Sequence, residues 1–344
     1  MKVLYAIQAT GNGHITRAEV FIPLVQKFAE IDILISGNSS EIDLSHPVKY
    51  KFYGLSFIFG KNGGINFWKT LQKIKIFRFI KDVRRLKLDE YDFVLNDFEP
   101  VSAWACFVRK KHSIALSHQY SLLNPKVPTP KKNSFLGEFI LKYYSPCSIG
   151  YGFHFERYSN EIFYPIIKND LKNKNLSNQN FYLVYLPAFG DEKIISILSK
   201  VDSVKWIIFS KNAKKNYSLN NIEIIPISSR IFGEKIIYSK GVLCGGGFET
   251  PSEALYLKKK LIVVPMKNQF EQQCNAEALK KMGVQILYEF NQDSIKQLER
   301  WVESDNIIDV DYSEDPIEVI QKVFSDYRKR MTVLNSRQLI NEIN

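Results

Sequence analysis

The sequence predicts an α/β protein of two doubly wound domains in tandem that face a cleft. Three observations lead there. The chain has 344 residues, long for one hydrophobic core and suited to two. Short β-rich apolar runs alternate with helical patterns through both halves, the signature of parallel βαβ units. A polar, Asn/Lys-rich stretch, IIKNDLKNKNLSNQN at 166–180, separates the two sets. Residues 1–165 are therefore expected to form the first domain, 166–180 the linker and 181–344 the second.

In the first half the apolar runs place strands at 2–8, 31–36, 48–53, 92–97, 113–118 and 147–152. In the second they place them at 181–187, 204–210, 222–227, 241–245 and 261–265, with a further short one at 284–289. Each domain then has its ligand-binding edge at the carboxyl ends of its strands, and the site is the cleft between the two edges.

Hydrophobic residues make up 45% and charged residues 24%, a globular composition without low-complexity tracts. The longest N-terminal apolar run is Val3 to Ile7, far short of the ~18 residues of a membrane span, so a soluble cytoplasmic protein is expected. Cys106, Cys147, Cys244 and Cys274 are scattered without metal-ligand spacing and read as buried free thiols. Net charge is +11, and residues 61–87 alone carry nine Lys/Arg against Asp82. Ile76, Phe79, Ile80, Val83 and Leu86 recur there at helical spacing, so the segment reads as an amphipathic basic helix. Such a helix either covers a sheet with its basic side in water or docks on an anionic membrane surface. A basic patch with no reading motif does not call for nucleic acid.

After the first strand comes ATGNGHITRAEV. Gly11, Asn12 and Gly13 permit a tight turn into a helix, for the acceptor or a phosphate. A dinucleotide fingerprint would want a glycine where Thr16 stands and an acid ending the second strand, so a nicotinamide cofactor is not expected. The turn presents His14, a candidate general base that needs a carboxylate to fix its tautomer. LNDFEP offers Asp97 at a strand end, with Glu99 two residues on. His118, closing another strand on the same rim, is grouped with Gly11, Asn12 and Gly13 for the acceptor or a phosphate, and is the alternative base.

CGGGFETPSEAL, at 244–255, follows a strand with Gly245, Gly246 and Gly247. TPSE reads as a capping box with Thr250 at the N-cap, Pro251 at the first helical position and Glu253 at the third. Bare glycine amides beside a helix N-terminus make an anion site suited to a diphosphate. Spacing leaves open whether Glu253 caps its own helix or meets a ligand.

Residues 241–284 resemble the donor-binding signature of GT-B glycosyltransferases, both the UDP-glycosyltransferase superfamily and the cell-wall enzyme that adds N-acetylglucosamine to lipid I. The pattern is a glycine-rich loop, T-x-x-E, an apolar strand ending in Pro, then D/E-Q-x-x-N-A. Gly245 to Gly247, Thr250, Glu253, Pro265, Glu271, Gln272, Asn275 and Ala276 match it in order and spacing. The family's N-terminal G-x-G-H is matched by Gly11, Gly13 and His14. The resemblance implies two tandem Rossmann-like domains, with the last helix crossing back to the first. It implies Glu253 on the ribose hydroxyls, Glu271 and Gln272 on the donor sugar, and Gly246, Gly247 and Thr250 on the diphosphate, with Asn275 in the same donor motif. Ile227 and Phe232 would flank the base. His14 inherits either the role of a base held by Asp97 or a place in an acceptor loop.

The expected function is inverting, metal-independent transfer from a nucleotide sugar, a UDP-sugar foremost, to an acceptor hydroxyl, with His14 as base and no cofactor. The DVD at 309–311 reads as a loop with helix-start acids rather than a metal site. A nucleotide-sugar 2-epimerase and a non-catalytic nucleotide-sugar-binding protein are the alternatives. Lys131, Lys132 and the 61–87 helix allow a lipid-linked acceptor at the inner membrane face; a glycan acceptor is equally compatible.

Overall fold

The computed structural model describes residues 1–10, 12–37, 44–55, 75–131, 135–172 and 178–343, without the side chains of Asn12 and of residues 335–343. Gly11, Lys132, residues 61–74 of the basic segment and residues 173–177 of the expected linker lie outside the described residues.

The first half builds a seven-stranded, wholly parallel sheet from β1 (Lys2–Gln8), β2 (Glu30–Ser36), β3 (Tyr50–Phe52), β4 (Phe93–Asp97), β5 (Ser113–Ser117), β6 (Ile149–Phe153) and β7 (Ile162–Phe163). Its order is β3-β2-β1-β4-β5-β6-β7. The second half builds another from β8 (Phe181–Tyr185), β9 (Lys205–Ser210), β10 (Tyr217–Leu219), β11 (Ile222–Pro226), β12 (Gly241–Gly245), β13 (Lys260–Val264) and β14 (Gln285–Ile286). Its order is β10-β11-β9-β8-β12-β13-β14, parallel except for the β10–β11 hairpin. The runs expected at 48–53 and 284–289 shrink to three and two residues at or near sheet edges, and β7 and β10 are additions to the sequence reading.

Val3, Leu4, Tyr5, Ala6 and Ile7 are all fully buried, as a strand covered on both faces requires. Each large apolar side chain so buried contributes roughly 1.5–3 kcal/mol.

The helices of the first half are α1 (Asn12–Val25), α2 (Ile76–Arg85), α3 (Pro100–Arg109), α4 (His118–Ser121) and α5 (Phe135–Tyr143). Those of the second are α6 (Asp191–Leu198), α7 (Ser229–Tyr238), α8 (Glu249–Tyr256), α9 (Phe270–Lys281), α10 (Ser294–Glu303) and the long α11 (Pro316–Ile343). Helix α11 packs on the first sheet. Phe324 meets Phe28 and Phe93 at 5.4 and 5.5 Å, and Tyr151 Oη donates to Asp326 at 2.7 Å. Apolar packing is continuous between the halves, with Phe248 of the second 5.1 Å from Phe155 of the first.

Each sheet reverses its winding at one place, between β1 and β4 in the first and between β8 and β12 in the second. Chains leaving adjacent strands there diverge and open a crevice. The register pairs Ile7 with Asp97 and Tyr185 with Cys244. So the turn after β1 stands beside the end of β4, and the glycine turn after β12 beside the end of β8. All four segments open toward one cleft.

Candidate active site

The cleft has a volume of about 410 Å³ and is walled by both halves. His14, in the first turn of α1, meets Asp97 at the end of β4, with Nδ1 2.9 Å from Oδ1. The ring side chain is 12% exposed and Asp97 is fully buried. Arg17, one turn on along α1, donates to the same carboxylate through Nε at 3.1 Å and Nη2 at 2.7 Å. Burial opposes ionisation of Asp97, but Arg17 and His14 outweigh it and hold the carboxyl below the usual aspartate range. A buried carboxylate so fixed accepts from Nδ1–H and favours the tautomer that leaves the Nε2 lone pair for the cleft, and Arg17 Nη2 stands 3.0 Å from the same Nδ1. Gln119 Nε2 stands 3.5 Å from His14 Nε2 and donates to Glu271 Oε2 at 3.3 Å.

Glu99 is not part of this pair. Its carboxylate accepts from the Val101 and Ser102 amides at 2.8 and 2.6 Å and caps α3, ahead of Pro100 at the first helical position.

His118 occupies the floor of the cleft and has no nitrogen to spare. Nδ1 lies 2.7 Å from the Phe153 carbonyl and Nε2 2.8 Å from Asn275 Oδ1, and the ring stacks on Phe248 at 3.9 Å. Burial pushes its pKa down. Strand β5 ends one residue before it, at Ser117, whose hydroxyl caps α4. The reading of His118 as a base is therefore corrected: it is a cross-brace between the halves.

Asn275 shares that role. It is fully buried and donates from Nδ2 to the Gly246 carbonyl at 3.0 Å, so its side chain faces the protein rather than the cleft. Gly246 backs onto α9, where a Cβ would stand 2.9 Å from the Gln272 carbonyl, and Gly245 completes β12. Gly247 alone of the three faces open space on the cleft wall.

The capping box is also corrected. Helix α8 begins at Glu249, one residue before Thr250, and Phe248 at the N-cap makes no side-chain cap bond. The Ser252 hydroxyl turns back to the Phe248 carbonyl at 2.8 Å. Glu253 points away from its own helix start and pairs with Lys168 Nζ at 2.9 Å. Lys168 comes from the expected linker. Glu249, one turn before Glu253 on the same face, takes Arg17 Nη1 at 2.8 Å. Burial pushes both glutamates up, against the pull of these cations.

Glu271 and Gln272 begin α9, whose start is capped by Gln269. Both line the cleft, though Gln272 Oε1 accepts from the Met266 amide at 3.0 Å. At the far end Phe232 meets Phe209 and Tyr185 edge-on at 5.1 and 5.7 Å, with Ile227 beside them. All four cysteines are free and burial pushes their thiols up, Cys147 and Cys274 to about 12. Asp309 of the DVD stretch pairs with Lys258 at 2.8 Å.

Sequence reading missed Arg17, Gln119, Lys168, Tyr185, Phe209 and the cleft position of Glu249. Arg17 alone left a signal, standing three residues after His14 on one helix face.

No curated protein matches the chain. Solved structures share its fold: Arabidopsis thaliana UGT89C1 complexed with UDP, at 14% identity, covers 94% of each chain with a TM-score of 0.56. Acinetobacter baumannii MurG, at 13% identity, covers 96% of this chain and 95% of its own with a TM-score of 0.55. The glycosyltransferase SnogD from Streptomyces nogalater, at 11% identity, covers 94% and 99% with a TM-score of 0.52. The family model described as glycosyl transferase family 1 matches residues 1–304. With that match spanning both sheets and the cleft between them, the chain belongs to glycosyl transferase family 1 and is a sugar-transferring enzyme of GT-B fold.

Proposed function

We propose that the protein is an inverting, metal-independent glycosyltransferase that moves a sugar from a UDP-sugar to an acceptor hydroxyl. One observation carries the reading: the His14–Asp97 pair faces, within one cleft, the glycine turn and acidic helix starts of the other half. His14 Nε2 accepts the acceptor's proton as its oxygen bonds to the sugar's anomeric carbon. The bond from that carbon to the diphosphate breaks on the opposite face, and its electron pair leaves with the phosphate, which inverts the centre. Asp97 steadies the charged ring that results.

The remaining roles follow the walls of the cleft. Gly247, Thr250 and the N-terminus of α8 receive the diphosphate without a cofactor. Glu253 takes the ribose hydroxyls, Glu271 and Gln272 the sugar, and the Tyr185–Phe209–Ile227–Phe232 cluster the base. Residues 1–165 serve the acceptor and 181–344 the donor. The choice of uridine is supported by the likeness to UGT89C1, whose structures hold UDP and UDP-L-rhamnose.

The first half also suits an anionic membrane surface, and with it a lipid-linked acceptor. Helices α2, α3 and α5 adjoin: Arg109 donates to the Arg84 carbonyl at 2.9 Å and Trp104 to the Tyr143 carbonyl at 3.1 Å. They expose Phe77 at 91% and Phe135 at 82%, with Phe107, Val108 and Phe139. Arg78, Lys81, Arg85, Lys110 and Lys142 stand among them. Among the described residues no helix is long and apolar enough to cross a membrane.

Calorimetric titration with nucleotides and nucleotide sugars, without added metal, tests the donor site. One diphosphate nucleotide is expected to bind, and Glu253→Ala to weaken it by about 1.5–3 kcal/mol, the range of a charge-assisted hydrogen bond. A Glu253→Ala protein that binds as the parent does, or isomerised free donor formed without acceptor, overturns the reading.

A further inference from the structure

Arg17 divides its guanidinium between two tasks. Nε and Nη2 hold both oxygens of Asp97, within the first half. Nη1 reaches across the cleft to Glu249 of the second half at 2.8 Å. The first edge keeps the partner of His14 in place, and the second leaves one donor that can change acceptors without disturbing it.

Glu249 is the first residue of α8 and lines the cleft beside Gly247 and Thr250, where the donor's diphosphate is proposed to lie. A carboxylate there repels a diphosphate, yet its two oxygens offer a guanidinium much the same acceptor geometry as a phosphate. It is also held in place from the other side. A Cβ on Gly13 would stand 2.9 Å from Glu249 Cγ, so the turn after β1 rests directly on this side chain. Gln119, on the same cleft wall, is 7% exposed, and its Oε1 is buried without a hydrogen-bond partner among the described residues.

We infer that Arg17 is the cation that receives the donor's diphosphate, and that Glu249 occupies its place on Arg17 until the donor arrives. The inference rests on the donor reading above and adds to it a residue outside the donor motif, contributed by the acceptor half. Donor binding exchanges the Arg17–Glu249 contact for an Arg17–phosphate contact, while Asp97 keeps its hydrogen bonds from Arg17 Nε and Nη2. Burial already favours the neutral form of Glu249, so the displaced carboxyl takes a proton more readily once Arg17 has turned away.

The test is calorimetric binding of UDP, dTDP, GDP, ADP and CDP, each beside its parent nucleoside, to the wild type, Glu249→Gln and Arg17→Lys. For the nucleotide that the wild type binds, Glu249→Gln is expected to tighten the diphosphate roughly tenfold and leave the nucleoside unchanged. Arg17→Lys, which keeps the charge but loses the fork, is expected to weaken the diphosphate alone. Glu249→Gln needs no new buried partner, so it carries the test should the Arg17 variant fail to fold. Unchanged or weaker diphosphate binding by Glu249→Gln overturns the inference, as does equal tightening of diphosphate and nucleoside. A wild type that binds no nucleoside diphosphate removes the donor reading first, and the inference with it.

Discussion

At His14 the arrangement differs from a simple base and carboxylate pair, because Arg17 neutralises Asp97 from the other side. His14→Ala should lower the transfer rate by about 10²–10⁴-fold, the worth of a positioned base, measured as product formed per second at saturating donor. Asp97→Asn should do more than slow catalysis. It strips a buried guanidinium of its main partner, and urea unfolding should show a loss of about 3–5 kcal/mol. The sign of the pH dependence follows from the direction of the shift. Asp97 ionises in the folded state below its ordinary value of about 3.9, so its contribution is present above that pH and lost as pH falls through the folded value. The Asn variant should accordingly show a flatter stability profile below about pH 4. Of these residues His14 and Asp97 were legible, since one follows a glycine turn and the other ends a strand. Arg17 left only its place one turn after His14, and its pairing with Glu249 left nothing, because the two stand 232 positions apart in sequence and nothing local signals that two sheet edges will bring them together. Lys168 was hidden for a related reason: a lysine in a polar connection looks solvated until the fold supplies Glu253.

At the scale of elements, the strands were read well wherever both faces are buried, as in β1, β4 and β12. Such strands are unbroken apolar runs, whereas β7 and β10 have two and three residues and too little pattern to register. The start of α8 lies two residues earlier than expected, because T-P-S-E satisfies the local rule for a cap. Tertiary pairing of Glu253 with Lys168 then overrode it. The glycine turn before α8 separates two roles that the sequence presents alike. In Gly246→Ala the new methyl meets the backbone of α9, and about 1–3 kcal/mol of stability should be lost. In Gly247→Ala it enters open space, so stability should hold within about 0.5 kcal/mol while nucleotide affinity drops. Thermal unfolding and calorimetry on the same two proteins distinguish packing from ligand contact.

For the whole molecule, the basic excess of the sequence lies partly on α2, and the structure adds that exposed aromatic side chains accompany it on three adjoining helices. Cosedimentation should detect binding to vesicles containing phosphatidylglycerol and not to pure phosphatidylcholine, weakening as salt rises. The double variant Phe77→Ser with Phe135→Ser should lose it, and equal binding by that variant would end the membrane reading. The path of the backbone has a separate consequence. Lys2 N donates to the Asp92 carboxylate at 2.7 Å, and Tyr327 of α11 donates to the Asp92 carbonyl at 3.2 Å, so the first strand and the last helix converge on one residue. Topologically the second sheet is an excursion that leaves the first half once and returns once. A graft of the second half would therefore have to match two chain crossings together with the contacts that Arg17, His118 and Phe155 make across the cleft.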